Sequence, residues 1–307
     1  PHCQADRFVA STPNRSWVFM PWRGTMQGGL MRTLVKNGHV ITAVDDYRAD
    51  IRIVDGVIAE IGRDLSDSNA EVIDAAGRLV IPGGVDPHTH LESFSGSTTT
   101  SDDFLTGSRA AAVGGTTTIT DFARQNKGET LHFAYDAWQN KARQRTCVDY
   151  AFHVIVVEMD DARLAEVPDL VASGVTSVKM YMAYRGRMMV DDGTLFRTML
   201  AFKENGGLVA LHAENGDVID VLVRQAVAAG KVSPKYHALT RPPILEAEAV
   251  HRAICIAEVA ESPVYFVHLS SRQALEELQR GRDRGLPVYA ETCPHYLVLD
   301  DSRYDAP

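Results

Sequence analysis

Residues 83–90 read Gly-Gly-Val-Asp-Pro-His-Thr-His and follow an apolar run that starts at Leu79. On a β-strand, side chains two residues apart point to the same side, so we expect His88 and His90 to share one face. Two imidazoles in that arrangement can bind one divalent metal ion together. Taken alone, the pair is also compatible with an ordinary polar end of a strand.

Downstream of this stretch, short apolar runs alternate with helical stretches. Seven runs are predicted to be strands, at 79–85, 116–122, 150–157, 177–182, 208–212, 264–269 and 288–291. Six helices are predicted between them, at 102–113, 129–145, 192–205, 217–229, 245–261 and 272–284. This pattern predicts an α/β fold with parallel strands covered on both faces. A TIM-type (β/α)8 barrel has eight strands, so the count indicates a barrel that lacks its last strand. Periodicity alone also allows a doubly wound open sheet, although no GxGxxG motif follows the first strand.

The chain before this region has a different pattern. Residues 31–81 form short runs with period two, separated by Asn37-Gly38 and Asp55-Gly56, two typical hairpin turns. They predict a small β unit of their own. Residues 1–30 have no clear period, and we interpret them as an extension that is disordered.

Composition limits the classes of partner. The chain has 307 residues, with 31 Lys and Arg against 40 Asp and Glu, and a net charge of −9. An acidic chain is not typical of nucleic-acid or anionic-membrane binding, and no apolar run approaches the ~20 residues of a membrane helix. The four cysteines form no paired motif, so we expect a reducing, cytoplasmic location.

Three further polar residues lie in or at the end of predicted strands: Lys179, His212 and His268. A single buried histidine is more often a hydrogen-bonded core residue than a ligand. A charged lysine in an apolar strand costs several kcal/mol, so Lys179 needs a partner, a shifted pKa or a modification. Four histidines and one lysine at the ends of separate strands are hard to explain as structural residues, so together they indicate a metal site.

Together these motifs resemble the dihydropyrimidinase and hydantoinase family of the amidohydrolase superfamily. The matching stretches are 82–91, 114–118, 178–184, 211–216, 267–271 and 290–296. The resemblance implies that residues 31–81 are part of a β-sandwich domain and that 82–307 form an incomplete barrel. It also implies two zinc ions bridged by a carboxylated Lys179. His88 and His90 would bind one ion, and His212 and His268 the other.

The implied reaction is hydrolysis of the cyclic amide bond of a small ureide or imide, by a hydroxide that bridges the two ions. Dihydrouracil, opened to N-carbamoyl-β-alanine in pyrimidine degradation, is the first candidate substrate, and hydantoins are the next. The resemblance gives Tyr184 the role of stabilising the oxyanion; without it, a packing role is preferred. It also implies a homotetramer.

Three alternatives stay open: an allantoinase or dihydroorotase, a non-catalytic scaffold protein of the same family, and a metal-free α/β binding protein. The family also has an aspartate at the end of an eighth strand, which binds metal and transfers the proton. No residue here corresponds to it, so we expect a C-terminally truncated chain with impaired activity.

Overall fold

The structure, a computed structural model, describes residues 30–95 and 98–305. The expectation that residues 1–30 are disordered falls outside this range, except for Leu30. The chain divides into two compact units. The first comprises residues up to 121 together with 141–150, and the second comprises 122–140 and the residues from 151 onward. The division at residue 81 that the sequence suggests stays a prediction.

The first unit begins with a five-stranded sheet. Its strands are β1 (Arg32–Ile41), β2 (Asp46–Val54), β3 (Val57–Gly62), β4 (Glu71–Asp74) and β5 (Leu79–Val80). The order is β3-β2-β1-β4, with β5 also paired to β1. The β2–β3 hairpin turns at Asp55-Gly56 as predicted, because both residues have the positive φ that a two-residue turn of this kind requires.

Asn37-Gly38 is not a hairpin turn, contrary to the prediction. It lies inside β1, where the register with β2 shifts between Val35 and Gly38. Asn37 has a φ of +56°, and its N–H donates to a carboxylate oxygen of Asp50 at 2.7 Å. The dipeptide therefore forms a bulge, which the same positive-φ preference favours.

The strand predicted over 79–85 is in fact two strands. Leu79 and Val80 pair with β1, whereas β6 (Gly84–Thr89) pairs in parallel with β9 (Thr116–Arg124). Residues 81–83, which include Pro82, separate the two pairings. The unit also contains two short antiparallel strands, β7 (Phe94–Ser95) and β8 (Thr98–Thr99), and helix α1 (Phe104–Gly114), capped by Asp103.

The second unit contains the end of β9 and most of the remaining elements. The strands are β10 (Asp149–Ile155), β11 (Ser177–Tyr181), β12 (Leu208–His212), β13 (Val264–Phe266) and β14 (Val288–Ala290). The helices are α2 (Leu131–Ala142), α3 (Asp161–Leu164), α4 (Val167–Ala172), α5 (Asp192–Glu204), α6 (Gly216–Ala228), α7 (Lys235–Leu239), α8 (Pro243–Ala260) and α9 (Arg272–Asp283). Two 3₁₀ helices follow, Pro294–Leu297 and Asp301–Asp305. The sequence pattern does not predict the short helices α3, α4 and α7.

The strands of the second unit are parallel, and neighbours along the chain are neighbours in the sheet from β10 to β14. Val178, Val209 and Val264 occupy one register line across three of them and have no exposed surface. This burial agrees with the expectation for parallel strands covered on both faces. Within the described ranges, no helix has both the length and the apolar character that crossing a membrane requires.

Candidate functional site

His88 and His90 lie at the end of β6 and just beyond it, and their rings meet. Their Nε2 atoms are 3.2 Å apart, and the rings pack edge to face at 5.2 Å between centroids. Two nitrogens that bind one tetrahedral ion at ~2.0–2.1 Å are about 3.3 Å apart. The pair therefore has the spacing of two ligands of one ion, as its alternation along the strand predicts.

His212 and His268 form a second pair, in the second unit. His212 is the last residue of β12, and His268 follows β13 by two residues. The Nδ1 atom of His212 lies 3.1 Å from Nε2 of His268, again the spacing of two ligands of one ion. The two histidines are 56 positions apart in sequence, so only the parallel pairing of β12 with β13 brings them together.

Glu214 orients the ring of His212. Its carboxylate lies 2.6 Å from Nε2 of His212 and 3.7 Å from the guanidinium of Arg241. Burial by itself would raise the pKa of Glu214, but the hydrogen bond and the neighbouring positive charges lower it, so the carboxylate is ionised. An ionised carboxylate only accepts, which places the proton of a neutral imidazole on Nε2 and leaves the Nδ1 lone pair facing His268.

Lys179 is the third residue of β11 and is only 2% exposed. Its ammonium nitrogen lies over the rings of Phe122 and Tyr181, at 4.5 and 5.1 Å from their centroids. Burial lowers the pKa of Lys179 to about 8, although the negative charge of Glu291 acts in the opposite direction. The amine is therefore far easier to deprotonate than an exposed lysine, as the sequence argument requires.

Tyr181 connects the lysine with the second histidine pair. Its ring stacks on His212 at 5.2 Å, and Tyr184 packs against His212 at 5.1 Å. Burial raises the pKa of Tyr184, and the charge of Glu214 raises it further, so the hydroxyl keeps its proton and can donate a hydrogen bond. Lys179, Tyr181, His212, His268 and Tyr184 thus form one continuous group.

Two members of this group have an unusual backbone. Tyr184 has a φ of +66° and His268 a φ of +41°, values that non-glycine residues rarely adopt. The carbonyl of Tyr184 accepts the N–H groups of Arg187 and Met188 at 3.0 Å, so the local turn holds this conformation. Backbone strain of this kind is concentrated at functional sites.

The chemistry of the donor set fits metal binding. Each histidine pair presents two nitrogens at the spacing of two ligands of one ion. Among residues 30–95 and 98–305, no three His, Cys, Asp or Glu side chains group around a common point. A pair of imidazoles does not count as such a group, because it contributes only two side chains.

Comparisons with known proteins agree with this chemistry. The pattern of the amidohydrolase family matches residues 71–149. A D-hydantoinase of Geobacillus stearothermophilus is 53% identical over 278 residues, and one of Streptomyces coelicolor is 50% identical over 281 residues. Each alignment includes 90% of this chain. The chain is thus similar to the D-hydantoinases, and residues 71–149 match the amidohydrolase family.

Solved structures of this family also match the fold. A crystal structure of a D-hydantoinase has a TM-score of 0.88 at 51% identity, and a dihydropyrimidinase from Brevibacillus agri has 0.87 at 48%. Both matches cover 90% of this chain and 60% of the other. The prediction of a TIM-type barrel with a small N-terminal β portion is confirmed. The chain spans about 60% of the length of these relatives.

Sequence reasoning missed two groups that the structure places beside the predicted residues. Tyr181 lies in the motif quoted for Lys179, but nothing in the local pattern indicates that its ring covers both Lys179 and His212. Glu214 follows His212 by two residues, and the His-x-Glu spacing could have indicated a carboxylate that orients the imidazole.

Proposed function

We propose that this protein hydrolyses the amide bond of a cyclic ureide or imide in a metal-dependent reaction. Lys179 carries the proposal, because a lysine that is 2% exposed, has a pKa of about 8 and lies over the Tyr181 ring that stacks on His212 is suited to become a carbamate ligand. The names of the relatives, D-hydantoinase and dihydropyrimidinase, support the same class of substrate.

The lowered pKa favours this modification. Carboxylation by CO2 requires the neutral amine, and the change from 10.5 to about 8 raises the neutral fraction of Lys179 about 300-fold at pH 7. The product is an anion, which removes the positive charge from the buried site. We propose that His88 and His90 would hold one ion, that His212 and His268 would hold another, and that the Lys179 carbamate would supply an oxygen ligand.

The ions, when bound, would supply Lewis-acid polarisation of the carbonyl and an activated water. The remaining tasks belong to side chains of this chain. Tyr184 would donate its hydroxyl hydrogen to the carbonyl oxygen where negative charge develops. Glu214 would keep His212 in the tautomer that faces His268.

Hydantoins are the first substrates to test, since the relatives at 45–53% identity carry the name D-hydantoinase. Dihydrouracil, opened to N-carbamoyl-β-alanine, is the second candidate, favoured by the name of the Brevibacillus agri structure. We further propose a homotetramer and a cytoplasmic location, as the family resemblance suggests. Light scattering tests the first and cell fractionation the second.

The decisive experiment compares the protein with Lys179→Ala and, as a control, Lys127→Ala, which removes an exposed lysine. Zinc content is measured after loading with and without bicarbonate, and ring opening is followed for a hydantoin and for dihydrouracil. We expect about two zinc ions per chain in the protein and the control, and a loss of zinc and activity in Lys179→Ala. Full zinc content in Lys179→Ala would refute the role of the lysine, and absence of zinc from all three would refute the proposed function.

A further inference from the structure

The buried carboxylate of Asp121 is outside the set of predicted ligands. Asp121 lies on β9 in register with Thr89 of β6 and has no exposed surface. The Thr89 hydroxyl donates to its Oδ2 at 2.9 Å, and the N–H of Leu91 donates to the same oxygen at 2.7 Å. These two donors stand on either side of His90 in the chain.

Alternation along the strand explains the geometry. His88 and His90 share one face, and Thr89 lies on the opposite face. One carboxylate oxygen on that opposite face thus holds the backbone immediately before and after His90. The orientation of the His90 ring depends on this backbone, since β6 ends at Thr89 and His90 is the next residue.

The ammonium of Lys141, in the same unit, interacts with this carboxylate. Burial lowers the pKa of Lys141, and the negative charges of Glu92 and Asp121 raise it again. The ammonium of Lys141 donates to the carbonyl of Glu92 at 3.3 Å, one residue beyond Leu91. The segment that carries the histidines is therefore held at Thr89 and Leu91 by the buried carboxylate of Asp121, and at Glu92 by the half-buried Lys141.

We infer that Asp121 is a positioning residue for the His88/His90 metal site: its carboxylate fixes the backbone on both sides of His90 so that the two imidazoles meet at one ion. This inference rests on the proposed function. Partners of this kind, removed by mutation, weaken metal binding about 10–100-fold.

The test is a Co²⁺ titration in bicarbonate, followed by visible absorption, of the protein and of Asp121→Asn. The matched control is Asp50→Asn, because Asp50 is also a buried aspartate, 5% exposed, that accepts two backbone N–H groups, from Asn37 and Leu65. We expect one of two Co²⁺ equivalents to bind about 10–100-fold more weakly in Asp121→Asn, with a changed spectrum, and both to bind normally in Asp50→Asn.

Thr89→Val keeps the size of the side chain and removes the hydrogen bond from the Thr89 hydroxyl to Asp121. It therefore tests the positioning role even if Asp121→Asn does not fold. An intermediate loss of affinity is expected, and Thr89→Ser should restore binding. Unchanged Co²⁺ affinity in Thr89→Val and in folded Asp121→Asn would overturn the inference while the proposed function stands. If Asp50→Asn lost as much Co²⁺ affinity as Asp121→Asn, the loss would reflect general destabilisation of the protein, and the inference would also be overturned. A protein that binds no Co²⁺ at all would overturn the proposed function, and the inference with it.

Discussion

Replacing Lys179 by methionine should stabilise the metal-free protein while it removes metal binding. Methionine has a similar length and no charge, and Lys179 is 2% exposed. One pKa unit corresponds to about 1.4 kcal/mol, so the fall from 10.5 to about 8 means that burying the charged amine costs about 3 kcal/mol. Losing the contacts with Phe122 and Tyr181 offsets part of that gain, so we expect Lys179→Met to be about 2 kcal/mol more stable at pH 7.

The pH dependence makes this prediction specific. Below pH 8 the lysine is protonated in both states, and the cost of its burial is fully present. Between pH 8 and 10.5 the unfolded chain binds more protons than the folded one, so stability rises with pH and the cost disappears. The advantage of Lys179→Met should therefore shrink steadily between pH 8 and pH 10. Other groups that titrate in this range are common to both proteins and cancel in the difference.

The assay is urea-induced unfolding of chelator-treated proteins at pH 7, 8.5 and 10. Lys127→Met, at an exposed position, controls for the substitution itself and should change stability by less than about 0.5 kcal/mol. With zinc and bicarbonate the parent protein should become more stable than Lys179→Met. Ligand at 100 times its Kd adds about 2.7 kcal/mol to the free energy of unfolding of the protein that binds it. A metal-free Lys179→Met that is less stable than the parent at pH 7, or an advantage that does not depend on pH, would refute the reasoning.

Three other outcomes follow from the structure. His212→Asn should lower zinc content from about two ions per chain to about one, measured by elemental analysis, with His251→Asn, an exposed histidine of α8, unchanged. Gly216→Ala should lower stability by about 1–3 kcal/mol in urea unfolding, because the added Cβ would lie 2.6 Å from the Cα of Ala183. Gly114→Ala, with nothing within 4 Å of the new Cβ, is its control and should be neutral or slightly stabilising. Removal of metal by a chelator should lower the melting temperature of the parent protein and leave that of Lys179→Met unchanged, as scanning calorimetry would report.

Local patterns were enough for much of the fold. The alternation of strands and helices predicted seven parallel strands, and among residues 30–95 and 98–305 seven are found, β6 and β9 to β14. The approach of His88 and His90 also follows from local geometry, because residues i and i+2 of a strand share a face wherever the strand lies. The turn at Asp55-Gly56 is local for the same reason, since it depends on the φ preferences of two residues.

Other features depend on residues distant in sequence, and local periodicity does not contain them. Asn37-Gly38 has the preferences of a turn, but the carboxylate of Asp50 holds it as a bulge within β1. The apolar run from Leu79 divides because its two ends find different strand partners.

The candidate site shows the same division. Residue type and spacing were sufficient to select Lys179 and the histidines as candidates. The pKa of Lys179 was not accessible in this way, because it depends on burial and on the charge of Glu291, more than a hundred positions away. The pairing of His212 with His268 likewise depends on which strands are neighbours. Sequence alone determined which side chains could do chemistry, and tertiary structure decided their protonation and their partners, because desolvation and contact are properties of the packed chain.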